Sequence, residues 1–92
     1  MGSVNIGTVR TFPNVELDKA QALKPLEEAA EVFGAWQNAS AGMPLSREEI
    51  AFEIVDCITA CANLAAALGI EDLGPRLRAA EALNEFRGRY EA

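Results

Sequence analysis

Apolar and polar positions along the chain follow a helical repeat in three segments. The first segment, from Leu17 to Ser40, is rich in Ala, Leu, Glu, Lys and Gln, which favour helices. Pro25 interrupts it, because proline lacks the amide donor and clashes with the preceding turn. The pattern therefore predicts a first helix near residues 17–40, with a kink or a helix start at Lys24–Pro25.

The second segment carries a residue typical of each helix end. Ser46 and Glu49 have the spacing of a capping box, in which the hydroxyl of the first residue and the glutamate three positions later cap the helix N-terminus. Gly69 is typical of the residue that follows a helix C-terminus. These signals predict a second helix near residues 46–69.

The two ends of the chain complete a single helical domain. Pro75 suits the first position of a third helix near residues 75–88, where Leu, Ala and Phe recur at helical spacing. Residues 1–15 are rich in Gly, Ser, Thr and Asn, so we expect a loosely ordered arm that could form a short strand or cover a partner's surface. The predicted fold class is all-α, with residues 16–92 forming one antiparallel helix bundle completed by oligomerisation.

The composition narrows the range of partners. Half of the 92 residues are hydrophobic, more than a domain this small buries alone, so a homodimer or homotetramer is expected. The net charge of −6 argues against a nucleic-acid partner, which requires a basic surface. The longest uncharged stretch, Cys57–Ile70, has 14 residues, too few to cross a bilayer. Without an evident export signal, we expect a cytoplasmic protein with no membrane contact, whose Cys57 and Cys61 are reduced core thiols.

Two carboxylates lie in a helix that is otherwise apolar. The polar residues of the stretch 50–68 fall within an arc of roughly 120°; they are Glu53, Asp56, Thr59 and Asn63. An ionised carboxylate is costly to bury unless it is paired or binds a metal. The counter-charge must therefore be a metal ion or the arginines of the third helix.

The first helix offers a second acidic pair. Glu28 and Glu31 are three residues apart, so they lie on one face of the helix, with Glu27 beside them. Two helices that each turn such a pair inward form an oxygen-only cage, which suits Mg²⁺ or Mn²⁺. With no histidine and two cysteines, the chain offers no conventional zinc site. The alternative interpretation is that the glutamates form an ordinary solvated face.

The order and spacing of these acids resemble those of a known family. The resemblance is carried by KPLEEAAE at residues 24–31, EIVD at 53–56 and NEFR at 84–87. These segments are similar to the E-E-x-x-E, E-x-x-D and Asn-x-x-Arg motifs of the all-alpha NTP pyrophosphatases of the MazG type, over about residues 20–90. The lysine often found before the Asn-x-x-Arg ending is absent here.

The resemblance implies an activity and a role for each matching residue. The family hydrolyses a nucleoside triphosphate to the monophosphate and pyrophosphate with Mg²⁺, which cleanses the nucleotide pool, and it assembles as dimers or tetramers. The implied metal-binding and catalytic carboxylates are Glu28, Glu31, Glu53 and Asp56. Glu27 would be an auxiliary catalytic acid that orients water or a second ion, and the phosphate contacts would be Lys24, Asn84 and Arg87.

Two further residues are candidates for substrate binding. Trp36, more than its neighbour Phe33, could stack on a base, although aromatic residues on an amphipathic helix usually belong to a core or an interface. Asn63 could hydrogen-bond the sugar or base, or it could be a buried amide satisfied by a neighbouring helix.

Two rival functions remain open at this point. A phosphoribosyl-ATP pyrophosphatase has a similar length and acidic layout, although the ending at residues 87–90 favours the MazG-like branch. A non-catalytic helical interaction module would use its apolar faces to bind a partner and its acids as a structural network. A carboxylate di-iron bundle is disfavoured, because it normally needs Glu-x-x-His pairs and the chain has no histidine.

Overall fold

The computed structural model describes residues 2–40 and 46–91, and the regular structure within these ranges is entirely helical. The helices are α1 (Lys19–Ser40), α2 (Arg47–Ala67) and α3 (Gly74–Phe86). No strand occurs in either described range, so the arm does not form the short strand that its sequence allowed. The predicted all-α class is confirmed. The first and last residues of each helix lie within two positions of the predicted ones.

The first helix begins ahead of Pro25 because an acidic side chain caps it. The Oδ1 atom of Asp18 accepts a hydrogen bond from the Gln21 N–H at 2.8 Å, which satisfies a free amide of the first turn. The helix then continues through Pro25. A helix start at Lys24–Pro25 is therefore wrong, and Lys24 keeps its helical position one turn before Glu28.

Ser46 caps the second helix as predicted, and Gly69 follows its C-terminus. Ser46 Oγ accepts the Glu49 N–H at 3.2 Å. At the other end Gly69 has φ +77°, and the amides of Gly69 and Ile70 donate to the carbonyls of Ala66 and Ala65, both at 2.9 Å. This is a Schellman ending, which requires a left-handed residue and therefore favours glycine.

The third helix starts and stops close to the expected residues. Gly74 takes its first position and Pro75 its second, and the Gly74 N–H donates to Asp72 Oδ1 at 2.8 Å. The helix ends at Phe86, and Gly88, which has a φ of +72°, supports a second Schellman ending just beyond it.

Helices α1 and α2 pack against each other as an antiparallel hairpin. The Cys57 thiol lies 3.9 Å from the Pro25 carbonyl oxygen, whereas further along α1 Glu31 contacts Glu53. A later residue of α1 thus contacts an earlier residue of α2, so the two helices run in opposite directions. Their seam contains Ala60, which is 6% exposed.

Within the described residues, no Cα atom of helix α3 lies within 8 Å of a Cα atom of α1 or α2. The radius of gyration is 15.5 Å, compared with about 12 Å for a compact domain of this length. The accessible surface is 7608 Å², whereas a compact monomer of this mass exposes about 5,200 Å². A single chain therefore leaves much of its apolar surface in contact with water.

The exposure of the two cysteines corrects one expectation from the sequence. Cys61 is exposed, so it is not the core thiol expected, whereas Cys57 is partly buried.

Helix α2 is long and apolar enough to cross a bilayer by length and composition alone. Its acids Glu53 and Asp56 lie near its middle, where contact with lipid would be costly, and in the hairpin they meet the carboxylates of α1.

A buried side chain of α2 attaches the N-terminal arm to the hairpin. The Phe12 N–H donates to Asn63 Oδ1 at 2.8 Å, and Asn63 is 3% exposed. The arm then turns at residues 13–14 before α1 begins. The buried amide oxygen is therefore satisfied by the backbone of the arm rather than by a neighbouring helix.

We expect Asn63→Ala to release the arm. The variant removes the one acceptor that holds the Phe12 amide, so the amide should lose hydrogen-exchange protection and the free energy of unfolding should fall by about 1–2 kcal/mol. The matched control is Asn5→Ala, because the Asn5 side chain accepts a hydrogen bond from the Gly7 N–H within the exposed part of the arm. Equal protection of the Phe12 amide in both variants would contradict the anchoring role.

Candidate metal centre

Four carboxylates converge on the seam between α1 and α2. Glu28, Glu53 and Asp56 each place one oxygen within 4.8 Å of the others. Glu31 joins them, because its carboxylate lies close enough to Glu28 and to Glu53 to share a proton with either. The four acids that the sequence pairs at i, i+3 spacing are therefore adjacent. We refer to Glu28, Glu31, Glu53 and Asp56 as the acidic cluster.

The local sequence explains why these side chains meet. On each helix the two acids are three residues apart, so they share a face. The antiparallel pairing then brings the middle of α1 level with the middle of α2, as the Pro25–Cys57 contact nearby requires. The cluster follows from helical spacing together with hairpin register, and neither alone would produce it.

Two oxygens of the cluster are buried without a partner. Glu28 Oε2 and Glu53 Oε2 are both shielded from solvent and form no hydrogen bond. Such atoms are rare in folded proteins, because a buried polar atom that loses water must recover the energy elsewhere. A proton or a cation between the carboxylates would supply the missing partner.

The pKa values of two acids of the cluster also indicate that it needs a proton or a cation. Burial raises the pKa of Glu28, and the hydrogen bond and negative charge of Glu31 raise it further, while Lys24 acts in the opposite direction. Burial also raises the pKa of Glu53, together with the charges of Glu31 and Asp56. Both shifts mean that the ionised form is disfavoured unless positive charge is supplied.

The donor set fits a hard divalent cation. The cluster offers carboxylate oxygens, which are the ligands that Mg²⁺ and Mn²⁺ prefer in proteins. The unpartnered oxygens of Glu28 and Glu53 belong to two different helices and to two of the residues with mutually close oxygens. A cation held there would join α1 to α2 and relieve the repulsion between them.

Lys24 and Glu27 lie next to the acidic cluster on its solvent side. Lys24 Nζ lies 3.4 Å from Glu27 Oε2 and 4.0 Å from Glu28 Oε1. The side chain of Glu27 is 58% exposed, compared with 17% for Glu28, so Glu27 faces water while Glu28 faces the seam. Within the described ranges Lys24 is the cation that pairs with an acid of the cluster, and no other basic residue does.

An open groove continues from the acidic cluster between the two helices. Its volume is about 460 Å³, and its lining residues are Glu31, Gly34, Ala35, Asn38, Glu49, Phe52 and Glu53. The sequence interpretation missed Asn38, Glu49 and Phe52 as site residues. A signal for two of them was present, because Asn38 lies two helical turns after Glu31 and Glu49 lies one turn before Glu53.

Several predicted substrate contacts lie away from the cluster within one chain. Trp36 stacks on Phe33, with ring centroids 6.3 Å apart and planes inclined by 9°, and neither ring lines the groove. The Asn63 oxygen is engaged by the arm, so a substrate contact would require the arm to move.

Asn84 and Arg87 are also separated from the acids. They belong to the end of α3, whose Cα atoms all lie more than 8 Å from those of α1 and α2 in the described part of the chain. The Asn84 side chain accepts a hydrogen bond from Arg89 Nη1 at 3.0 Å. A phosphate contact from this segment therefore requires α3 to reach the cluster of another copy, or to fold back.

The chain matches no protein-family model, no curated protein and no solved structure. The resemblance to the MazG-type pyrophosphatases consequently rests on the spacing of residues in the sequence. What the protein does has to be argued from the chemistry of the acidic cluster.

The raised pKa values of Glu28 and Glu53 predict how stability depends on pH. A carboxyl group whose pKa is higher in the folded state binds protons more tightly when folded, so it stabilises the fold at low pH. That stabilisation is lost as the pH rises from the ordinary glutamate value through the raised values. Metal-free protein should therefore have a higher Tm near pH 5 than near pH 7, as measured by circular dichroism with a chelator present.

Replacement of one cluster acid should remove part of this dependence. We expect Glu53→Gln to raise the Tm of the metal-free protein at pH 7, because it deletes a charge that Glu31 and Asp56 oppose. The matched control is Glu16→Gln, which removes an exposed acid between the arm and α1. A Tm for Glu53→Gln at or below that of the control would contradict the repulsion inferred for the cluster.

Proposed function

We propose that this chain is a Mg²⁺-dependent nucleoside triphosphate pyrophosphohydrolase that releases the monophosphate and pyrophosphate and so cleanses the nucleotide pool. One observation carries the proposal: four carboxylates from two helices converge, and two of their oxygens are buried without a partner. The motif spacing that resembles the MazG-type family supports it. Mn²⁺ is an alternative ion, because it takes the same oxygen ligands.

The acidic cluster has a direct use in this chemistry. A triphosphate and a group of carboxylates repel each other, so the two come together only through cations. Mg²⁺ held by these acids would neutralise charge on the phosphates and favour attack by water in line with the leaving group. The residues expected to hold it are Glu28, Glu31, Glu53 and Asp56.

Lys24 and Glu27 suit the steps at the edge of the cluster. The Lys24 ammonium lies beside Glu28 and faces solvent, where it can contact an entering phosphate oxygen. Glu27 is joined to Lys24 and is mostly exposed. Its carboxylate can orient the attacking water and accept a proton at Oε1 or Oε2.

The groove is the natural position for the nucleoside. It begins at the cluster and extends away from it along both helices. Asn38 offers an amide for hydrogen bonds to a base or a sugar, and Phe52, which is 69% exposed, offers a ring for stacking. Trp36 lies outside the groove, so Phe52 replaces it as our preferred base contact.

Assembly into a homodimer or homotetramer is part of the proposal. The surface of one chain exceeds that of a compact monomer, and large apolar side chains such as Phe86 and Phe33 are 90% and 58% exposed. An antiparallel bundle completed by a second copy would bury them. We also propose a cytoplasmic location, with no nucleic-acid or membrane partner, in line with the acidic surface and the position of Glu53 and Asp56 within the hairpin.

We expect the purified protein to release pyrophosphate from nucleoside triphosphates in the presence of Mg²⁺ and to lose this activity with a chelator. Glu53→Gln should lower kcat/KM by about 10² or more, because it removes one charged ligand from the cluster. The matched control is Glu48→Gln, an exposed acid of the same helix that lies outside the cluster and the groove. Full activity in Glu53→Gln would refute the assignment.

The same assay separates the rival enzymes. Turnover of phosphoribosyl-ATP in preference to dCTP, dUTP and the other common triphosphates would identify the histidine-synthesis activity instead.

Calorimetry with Mg²⁺ tests the metal site without any substrate. Wild-type protein and Glu48→Gln should bind the ion, and Glu28→Gln and Glu53→Gln should bind it more weakly. Absence of binding and of turnover together would favour the non-catalytic interaction module.

A further inference from the structure

We propose that Glu49 selects the base of the substrate, and that the groove takes nucleotides whose base carries an amino group at position 4 of a pyrimidine or 6 of a purine, namely cytosine or adenine. The inference rests on the proposed function and adds to it the class of base. Three features of the hairpin support it: the order of the groups along the groove, the unengaged carboxylate of Glu49 and the position of the Phe52 ring beside it.

The groups that line the groove follow the order of the parts of a nucleotide. Glu31 and Glu53 belong to both the groove and the acidic cluster, so the phosphates would lie at this end. Asn38 comes seven residues after Glu31 on α1, about 10 Å along the helix axis. Glu49 comes four residues before Glu53 on α2, about 6 Å away in the same direction, because the helices are antiparallel. The base would therefore lie between Asn38 and Glu49.

Small residues leave room for the sugar in the middle of the groove. Gly34 and Ala35 come one helical turn after Glu31, and a Cβ built on Gly34 would meet nothing within 4 Å. The groove volume of about 460 Å³ lies within the range of small-molecule sites, about 300–1,000 Å³. The groove therefore has space for a nucleoside between its two polar ends.

The carboxylate of Glu49 is available to a ligand. In a complete capping box this side chain would accept a hydrogen bond from the Ser46 N–H. Ser46 Oγ does accept the Glu49 N–H, but the reverse bond is not formed. Within residues 2–40 and 46–91 no hydrogen bond or ion pair engages the Glu49 carboxylate, which is exposed and lines the groove.

Phe52 would bring a base within reach of Glu49. The two residues are three apart on α2, so they share a face with their Cβ atoms about 5–6 Å apart. Phe52 is 69% exposed, which leaves its ring open to stacking. A base stacked there would turn one edge toward the Glu49 carboxylate, and Asn38 would reach the same edge from α1.

The chemistry of a carboxylate determines which base it favours. An ionised carboxylate accepts hydrogen bonds and donates none. Cytosine N4 and adenine N6 are amino donors, whereas thymine and uracil present the acceptor O4 at the equivalent position. Uracil could offer only its N3–H, and its O4 would then lie against the carboxylate. The Asn38 amide can donate to the ring nitrogen beside the amino group, which completes the recognition of an amino-bearing base.

The negative charge of Glu49 also favours one direction of binding. A triphosphate that entered with its phosphates toward Asn38 would meet the Glu49 carboxylate and be repelled. In the opposite direction the phosphates lie at the acidic cluster, where the metal is expected. The deaminated nucleotides dUTP and dITP, which carry oxygen in place of the amino group, should therefore be poor substrates.

The first test compares dCTP with dUTP, which differ at position 4 of the base. Wild-type protein and Glu48→Gln, which changes an exposed acid outside the groove, should favour dCTP in kcat/KM by about 10-fold or more. Glu49→Gln should abolish most of this preference, because an amide can also donate to O4. The helix should be retained in this variant, since glutamine also suits the third position of a capping box.

The same comparison applies to purines, with dATP preferred to dITP. Two results would overturn the proposal: a wild-type protein that does not prefer the amino-bearing nucleotide of each pair, or a Glu49→Gln variant with the same preference as Glu48→Gln.

The second test measures binding without catalysis. Deoxycytidine and deoxyuridine carry no phosphate, so their binding requires no metal in the acidic cluster. NMR titrations that follow the Asn38 side-chain amide and the Gly34 backbone amide should give a lower Kd for deoxycytidine in wild type and Glu48→Gln, and similar Kd values in Glu49→Gln. Unchanged signals with both nucleosides, or equal Kd values in the wild type, would contradict base selection in the groove.

Gly34→Ala tests whether the nucleoside occupies the groove. The added methyl group has open space, and alanine favours a helix more than glycine does, so the fold should be retained while the groove is narrowed. Both nucleosides should bind about 10-fold more weakly. The matched control is Gln37→Ala, an exposed position of α1 outside the groove, and wild-type affinity in Gly34→Ala would refute this placement.

These tests distinguish the inference from the proposed function. If the wild-type protein hydrolyses no triphosphate, the proposed function fails, and the nucleoside titrations still decide whether Glu49 selects the base. If triphosphates are hydrolysed but Glu49→Gln and Glu48→Gln have the same preferences, the function stands and the base selection fails.

Discussion

The main physical constraint on this molecule is the mutual repulsion of four carboxylates in the seam between α1 and α2. Apolar packing and hairpin register press Glu28 and Glu31 against Glu53 and Asp56, where each additional negative charge makes the next one harder to ionise. A fold shaped only for stability would place apolar residues there, since charges without partners oppose packing. That the chain brings four acids together in the seam, with one oxygen of Glu28 and one of Glu53 buried and without a partner, is the physical reason to propose a ligand for them.

Local signals made much of the fold predictable. The ends of α2 could be inferred because Ser46 and Gly69 act through hydrogen bonds to nearby residues, and the pairing of the acids could be inferred because helical spacing fixes which side chains share a face. The start of α1 near residue 17 was predicted to within two residues, whereas the alternative start at Lys24–Pro25 was wrong, because the helix capped by Asp18 continues through Pro25. Competing local effects of similar size are hard to rank from a single sequence.

Features that depend on distant parts of the chain could not be predicted. Nothing in the spacing of Asn63 shows that its oxygen would receive the amide of Phe12, 51 residues earlier. Nothing in the amphipathic pattern of α3 shows that it would leave its own hairpin uncovered. Hydrophobic periodicity identifies the face that will be buried, but it does not identify the element, or the subunit, that buries it.

Trp36 is an intrinsic fluorescent probe of the surface of α1 on which it lies. It is the single tryptophan of the sequence, the residue is 54% exposed, and its ring stacks on Phe33 rather than lining the groove. Its emission spectrum is therefore sensitive to whether water reaches this part of α1. The wavelength of maximum emission, followed as the protein is diluted, can distinguish an isolated chain from one whose aromatic side is covered, without any attached dye.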